Sequence, residues 1–440
     1  MVFSRRLLPL FSRARLGGLA LSCSLVAGLF AGMVAPAVSP ESAGAVCDPV
    51  VLIPAAVVPG SNASSAHMAA QWLRLQQLPN GSFEMADFPG FETPDAILAL
   101  AEDAQTASTW STAEARAGVE SAVQACGITA LDWIDNFAEE GLEAGDAARM
   151  VIFVAKPLGL STTQFDPGND GNAINLEAII AGGKVGGSYG TFGGTLWVAT
   201  ALRLLGRPVP PETVTFIRGG QHADGSWDYT GDLTTDTASD FNSTAMAMIA
   251  LVAAGAERGD TNLVRALAYV ASQQQADGGF REAFDEATNP NATGLGILAI
   301  RAAGFNSDNG VWRGIPQPSG ASALSVAYIS PRDALRATQT VDGNYASPYD
   351  IYGLNTFATT GGIHAMLANW IVNAFAIPLQ TPPTTTTTTT TAPSTTTLVV
   401  AGGALANTGA SQTTPFFLLG VLSLLAGLSL LNLRRRRIDA

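Results

Sequence analysis

The run Gln221-His-Ala-Asp224-Gly225-Ser-Trp227, followed by the small and almost wholly apolar stretch Ala245 to Ala254 and then Gly255, constrains this chain more than any other feature. Asp-Gly is turn chemistry, because glycine tolerates positive φ and aspartate bonds its own backbone. A helix ends there. Asn242 or Ser243 offers an N-cap for a second helix, and Gly255 stands where a terminal glycine stops one. A helix that is apolar all round is buried on most sides. A lone hairpin of this kind cannot cover itself.

The same grammar recurs. Gln274-Gln-Ala-Asp277-Gly278-Gly-Phe280 precedes Asn291 to Gly304, and Gln77-Leu-Pro-Asn80-Gly81-Ser-Phe83 precedes Pro94 to Glu102. Gly186-Gly-Ser-Tyr189 leads to Gly194–Gly206, and Gln339-Thr-Val-Asp342-Gly343-Asn-Tyr345 leads to Asn355–Asn369. A degenerate copy fits Ala117–Glu139 with Asp146–Leu158. Roughly six helix pairs result, and periodicity alone leaves both an open solenoid and a closed ring available.

The Gln-x-x-Asp-Gly-Ser-Trp run at 221–227, its Phe variants at 77–83 and 274–280, and the Asn-Ser-Thr-Ala helix start resemble the QW repeats of the terpene cyclase and protein prenyltransferase superfamily. The resemblance spans about residues 65–375. It implies an all-α fold, an α/α toroid in which inner and outer helices alternate and inner helix ends surround a central cavity. It further implies that Gln221, Trp227, Gln274 and Phe280 tie helices together rather than catalyse.

The flanks differ in kind from the repeats. Arg5, Arg6, Arg13 and Arg15 precede an uncharged run over 16–38, and Ala43-Gly44-Ala45 is a small-x-small cleavage site, so residues 1–45 read as a secretory signal peptide. Residues 46–378 then form the toroid domain. Residues 379–404, with threonines from Thr384 to Thr391, cannot build a packed core and read as a spacer. Residues 405–440 hold Leu405-Ala-Asn-Thr408-Gly409, an apolar run from Pro415 to Leu433, and Arg434–Arg437. That run is long enough to span a bilayer, and the arginines hold its end in the cytoplasm. The tripartite tail is similar to a sortase sorting signal of the Leu-Ala-x-Thr-Gly type. The similarity implies cleavage before Gly409, acylation of a peptidoglycan amine through Thr408, and display on a Gram-positive cell wall after transient membrane retention.

Of the 23 basic residues four precede position 16 and four follow position 433, so the exported body holds 15 against 34 of the 36 acidic residues. Such a surface repels nucleic acid. Cys23 leaves with the signal, and the remaining pair, Cys47 and Cys126, is expected to form one disulfide in an oxidising compartment.

No Asp-x-Asp-Asp acid motif is present, and Asp232, Asp236 and Asp240 are instead spaced by four in a threonine-rich loop, as solvated turn and cap residues, as a cation site or as an acid/base pair. His67, His222 and His364 lie in different repeats, which argues against zinc, and Cys126 lies outside any thioester motif. Neither metal nor cofactor is expected. The loop 306–331 either covers one mouth of the ring or is an insertion. Candidate cavity residues are Trp197, Asp236, Asp240, Asn242, Asn291, Tyr349 and Asp350. The leading expectation is a non-catalytic surface protein that binds a small molecule, glycan or protein. The alternative is an extracellular toroid enzyme, isoprenoid-handling or polysaccharide-degrading, using cavity carboxylates.

Overall fold

The computed structural model describes residues 60–380 apart from 84–91, 123–126, 235–237, 283–284, 315–327, 350–354 and 369. Asp236, Asp350, Cys47, Cys126, Thr408 and Gly409 therefore lie outside the described residues, as do the signal, spacer and sorting segments. Among the described residues no helix is long and apolar enough to cross a membrane. These residues are helical, with isolated bridges and no extended strand.

Six inner rods can be followed in chain order. They are α2 (Glu92–Asp103), a rod made of α5 (Ala144–Arg149), the π-helical turn Met150–Ala155 and α6 (Lys156–Leu158), then α8 (Phe192–Leu204), α10 (Phe241–Ala253), α12 (Pro290–Ala302) and α14 (Thr356–Leu367). Each packs on the next, and α14 packs back on α2, so the ring is closed. Outside it lie α1 (Asn62–Arg74), α3 (Thr112–Glu120), α4 (Ala130–Glu139), α7 (Leu176–Gly182), α9 (Pro211–Gly219), α11 (Thr261–Gln273) and α13 (Pro331–Ala337). Helix α9 rests on α8 and α10, α13 on α12 and α14, and α1 on α14 and α2. Among the described residues this contact order identifies an α/α toroid of six inner rods and seven outer helices without appeal to any other protein.

Small side chains let the inner rods approach. A Cβ on Gly145 would sit 2.9 Å from Gly194 Cα, and one on Gly294 would sit 2.9 Å from Gly361 O. Helix α10 is buried along its whole length, as its composition requires. Its N-cap, however, is Asp240 rather than Asn242 or Ser243, because the Asp240 side chain accepts the Ser243 N–H at 2.6 Å. Asn289 caps α12 in the same way.

Two bonds repeat around the ring. The Gln amide of each signature donates to the carbonyl of the turn glycine four residues on, from Gln77 to Gly81 (2.9 Å), Gln221 to Gly225 (2.8 Å), Gln274 to Gly278 (2.8 Å) and Gln339 to Gly343 (2.7 Å). Gln221 also reaches the Asn262 carbonyl at the start of α11, so one amide joins a turn to the next outer helix. At the seam Gln339 makes that bond to the Ser65 carbonyl of α1 at 2.8 Å, and Ser65 Oγ lies 2.6 Å from both Gln339 Oε1 and Tyr345 Oη. The last joint of the ring is thus made of the same parts as the internal ones. Trp227, fully buried, donates its indole N–H to the Ile217 carbonyl at 2.6 Å. Burying such a ring contributes about 2–3 kcal/mol.

Candidate functional site

The five aromatic-threonine joints give a register for comparing repeats. The backbone N–H of Phe83, Tyr189, Trp227, Phe280 and Tyr345 donates to the Oγ1 of Thr93, Thr195, Thr244, Thr293 and Thr359 respectively. A residue that the ring itself needs should recur at its register position. Two positions before the threonine stand Gly193, Asn242, Asn291 and Phe357. Two positions after the aromatic stand Thr191, Tyr229, Glu282 and Ser347. The amides of Asn242 and Asn291 and the carboxyl of Glu282 are therefore confined to two adjacent repeats.

These residues meet. Asn242, in the first turn of α10, donates through Nδ2 to Glu282 Oε1 at 2.5 Å. Glu282 lies in the loop before α12, where its N–H donates to Asp285 Oδ2 at 3.1 Å. Asn289 Nδ2 donates to the same oxygen at 2.8 Å, while its Oδ1 accepts the Asn291 N–H at 2.9 Å. Arg281 Nη1 donates to the Asp285 carbonyl, and Tyr349 braces the loop by accepting the Ala287 N–H at 2.5 Å. Among the described residues, the buried Oδ1 atoms of Asn242 and of Asn291 have no hydrogen-bond partner. Asn242, Asp240, Glu282 and Asp285 are all at most 7 % exposed.

Burial dominates the electrostatics. It pushes the Glu282 carboxyl well above the usual carboxylate range, the charges of Asp240 and Asp285 push it further, and the Asn242 bond opposes only in part. Asp240 is raised by burial and by Asp228, against the Ser243 N–H bonds. Asp285 is raised by burial against its bonds from Asn289 and the Glu282 N–H.

The inner helices also show where the inner wall stays open. Within the first three turns of the inner helices, the positions left partly accessible are Trp197, Asn291, Leu295, Phe357 and Gly361. Asn291 and Leu295 are one turn apart on α12, as are Phe357 and Gly361 on α14, so the accessible wall beside the polar group is apolar. Trp197 meets Phe153 edge-on at 5.4 Å, next to a second buried group. There Arg149 pairs with Asp95, and His364 Nδ1 lies 2.7 Å from Glu102 Oε2. Burial opposes a charged His364, but Glu102 and then Asp95 outweigh it, and the pKa of His364 is raised.

The sequence candidates thus separate. Asp240 and Asn242 join one site with Asn291 beside them, Tyr349 supports its loop, and Trp197 belongs with Phe153. The acidic series does not converge as spaced, since Asp232 is exposed and its carboxylate accepts from Thr234. Tyr345 is fully buried, bonded to Ser65, and not a surface contact. Glu282 and Asp285 were not singled out by motif reading. Comparing repeats at the position two past the aromatic isolates Glu282 directly. A separate trio, Asp135, Asp166 and Asp170, brings carboxylate oxygens within 4.8 Å of one another, but Asp166 accepts the N–H groups of Asp170 and Gly171, and Asp170 accepts that of Asn172.

No family model matches the chain, and no curated protein does. Among solved structures it is similar to the type II terpene cyclase MstE from Scytonema in its apo form, with 12 % identity and a TM-score of 0.48 over 70 % of this chain and 97 % of that one. A point variant of the same cyclase gives 14 % identity and a TM-score of 0.43, covering 70 % and 96 %.

Proposed function

We propose that this is an exported, wall-linked toroid that binds a ligand on its inner wall where α10 meets α12. The observation that carries this reading is the Asn242–Glu282 pair with Asn291, polar groups present in two repeats only and not required by the joints that close the ring. Each unpartnered buried amide oxygen costs about 1–3 kcal/mol. A fold that tolerates two of them beside a buried acid is better explained by a bound partner than by packing. The sorting signal accounts for display, with sortase and peptidoglycan as the partners at Thr408.

The test is mass spectrometry of small molecules released from the purified chain and from the Asn242→Leu and Asn291→Leu variants. A species carried by the parent protein and lost from both variants supports binding at this site. A released profile unchanged by either substitution overturns it.

One observation favours a catalytic reading as the second choice. Burial and the charges of Asp240 and Asp285 push the Glu282 carboxyl up, which suits it to donate a proton. Glu282→Gln separates the two readings, because the amide keeps the shape and the bond to Asn242 but has no proton to give. Binding retained with turnover abolished would make this an enzyme.

A further inference from the structure

Resting on the ligand-binding reading, we infer that the group this site takes is an organic ammonium, with an apolar substituent lying along Leu295 and Phe357. Three features of the wall point to that chemistry. First, the unpartnered atoms are acceptors. Asn242 Oδ1 and Asn291 Oδ1 occupy the same register position on adjacent inner helices, and both call for N–H or O–H donors from a ligand. Packed helices lie about 8–10 Å apart, so both amides address one molecule.

Second, acids outnumber bases around the two amides. The charges of Asp240 and Asp285 act on Glu282, while one cation, Arg281, donates Nη1 to the Asp285 carbonyl and acts on the Asp285 carboxyl. An anionic head would add to the repulsion among the three acids, whereas a cation would relieve it and favour proton release from Glu282. Third, the carboxylates are too widely set to share a small ion. Among the described residues the acidic trio with oxygens converging within 4.8 Å is Asp135, Asp166 and Asp170, not this one. A head with several N–H donors bridges wider spacing, and the partly accessible Leu295 and Phe357 supply apolar surface for what it carries.

The experiment compares n-hexylammonium, n-hexanol and n-hexanoate as probes of the full chain, using titration calorimetry in buffers of different ionisation enthalpy. Hexylammonium should bind about tenfold or more tightly than hexanol, with proton release, and should lose about tenfold in Glu282→Gln, which removes the charge but not the shape. Hexanoate should not bind. Preference for hexanol or hexanoate, hexylammonium binding indifferent to Glu282→Gln, or no binding of any probe overturns the inference. The parent reading is judged separately, by the released molecules of the Asn242→Leu and Asn291→Leu variants. Because Asn242→Leu can also perturb folding, circular dichroism of each variant accompanies the titration, and Glu282→Gln serves as the shape-preserving control.

Discussion

The backbone N–H of Trp227 donates to the side-chain oxygen of Thr244, seventeen positions on, at 2.9 Å, and both partners are fully buried. Thr244 in turn donates to the Asp240 carbonyl at 2.7 Å. One hydroxyl therefore closes the turn onto the first turn of the inner helix. Thr244→Val strands the Trp227 N–H and should cost about 1–3 kcal/mol in urea unfolding. Thr200→Val is the control, since Thr200 only donates to the Leu196 carbonyl within α8. It should cost less than about 1 kcal/mol, and equal losses at the two sites would remove the special role of the joint.

The seam is sensitive to a single methyl group. Gly343 has φ +104°, and a Cβ there would meet the Met68 carbonyl oxygen at 2.4 Å. Gly255 has φ +95° with open space around it. Gly255→Ala should cost only the backbone strain, about 1–2 kcal/mol. Gly343→Ala should cost more, and limited proteolysis should show α1 released first. Equal melting temperatures for the two variants would contradict this.

Stability should fall as pH rises. Glu282, Asp240 and Asp285 have raised folded pKa values, so the stability they confer is complete below their unfolded values near ~4 and is lost as pH climbs through the folded ones. Asp146 acts in the same direction, raised to about 6 chiefly by burial, and so does Asp135, raised to about 6 by burial and the charges of Asp166 and Asp170. His364, also raised, adds stability at low pH that it too loses on the way up. Urea midpoints between pH 4 and pH 8 should decline, and Glu282→Gln should flatten the decline and stabilise at neutral pH. A midpoint rising with pH would count against the buried group.

His364 should titrate above the ordinary imidazole value while Glu102 faces it. Glu102→Gln removes the charge that offsets burial, and the pKa of His364 should then drop below that value. Nitrogen chemical shifts followed against pH report this directly, and an unchanged titration would exclude Glu102 as the cause.

If Thr408 is the attachment point, Thr408→Ala should move the chain from the covalently wall-bound fraction to membrane and medium. Muramidase release of an unaltered amount of protein would rule out the proposed linkage.

How much of this was legible depended on whether a residue repeats. The turn glycines, Gln221, Gln274 and Trp227 recur, so the repeat could be read from spacing and its helix-tying role from the resemblance; the helices after the turns began and ended within a few residues of expectation, whereas Ala117–Glu139 covers parts of two helices, α3 and α4. The N-cap shifted from Asn242 to Asp240 because the helix begins two residues earlier, where the Asp240 carboxylate accepts the Ser243 N–H, and the Asn242 amide turns to Glu282. Glu282 escaped notice because nothing in its local run Gly279-Phe280-Arg281-Glu282 signals burial. Its environment is made by Asn242, forty positions earlier, and by ring packing that no local pattern encodes. Ring closure was equally out of reach of periodicity, since the bond from Gln339 to Ser65 links residues 274 positions apart.

That long-range clasp also fixes the number of repeats. An open solenoid can gain or shed a unit and remain stacked, because each unit knows only its neighbours. A hoop has a circumference: one extra pair, or one fewer, would leave Ser65 presented to the wrong angle and both ends of the stack bare. Variation in this molecule is therefore expected in loop length and in the polar residues facing the axis, while the tally of its rods stays constant.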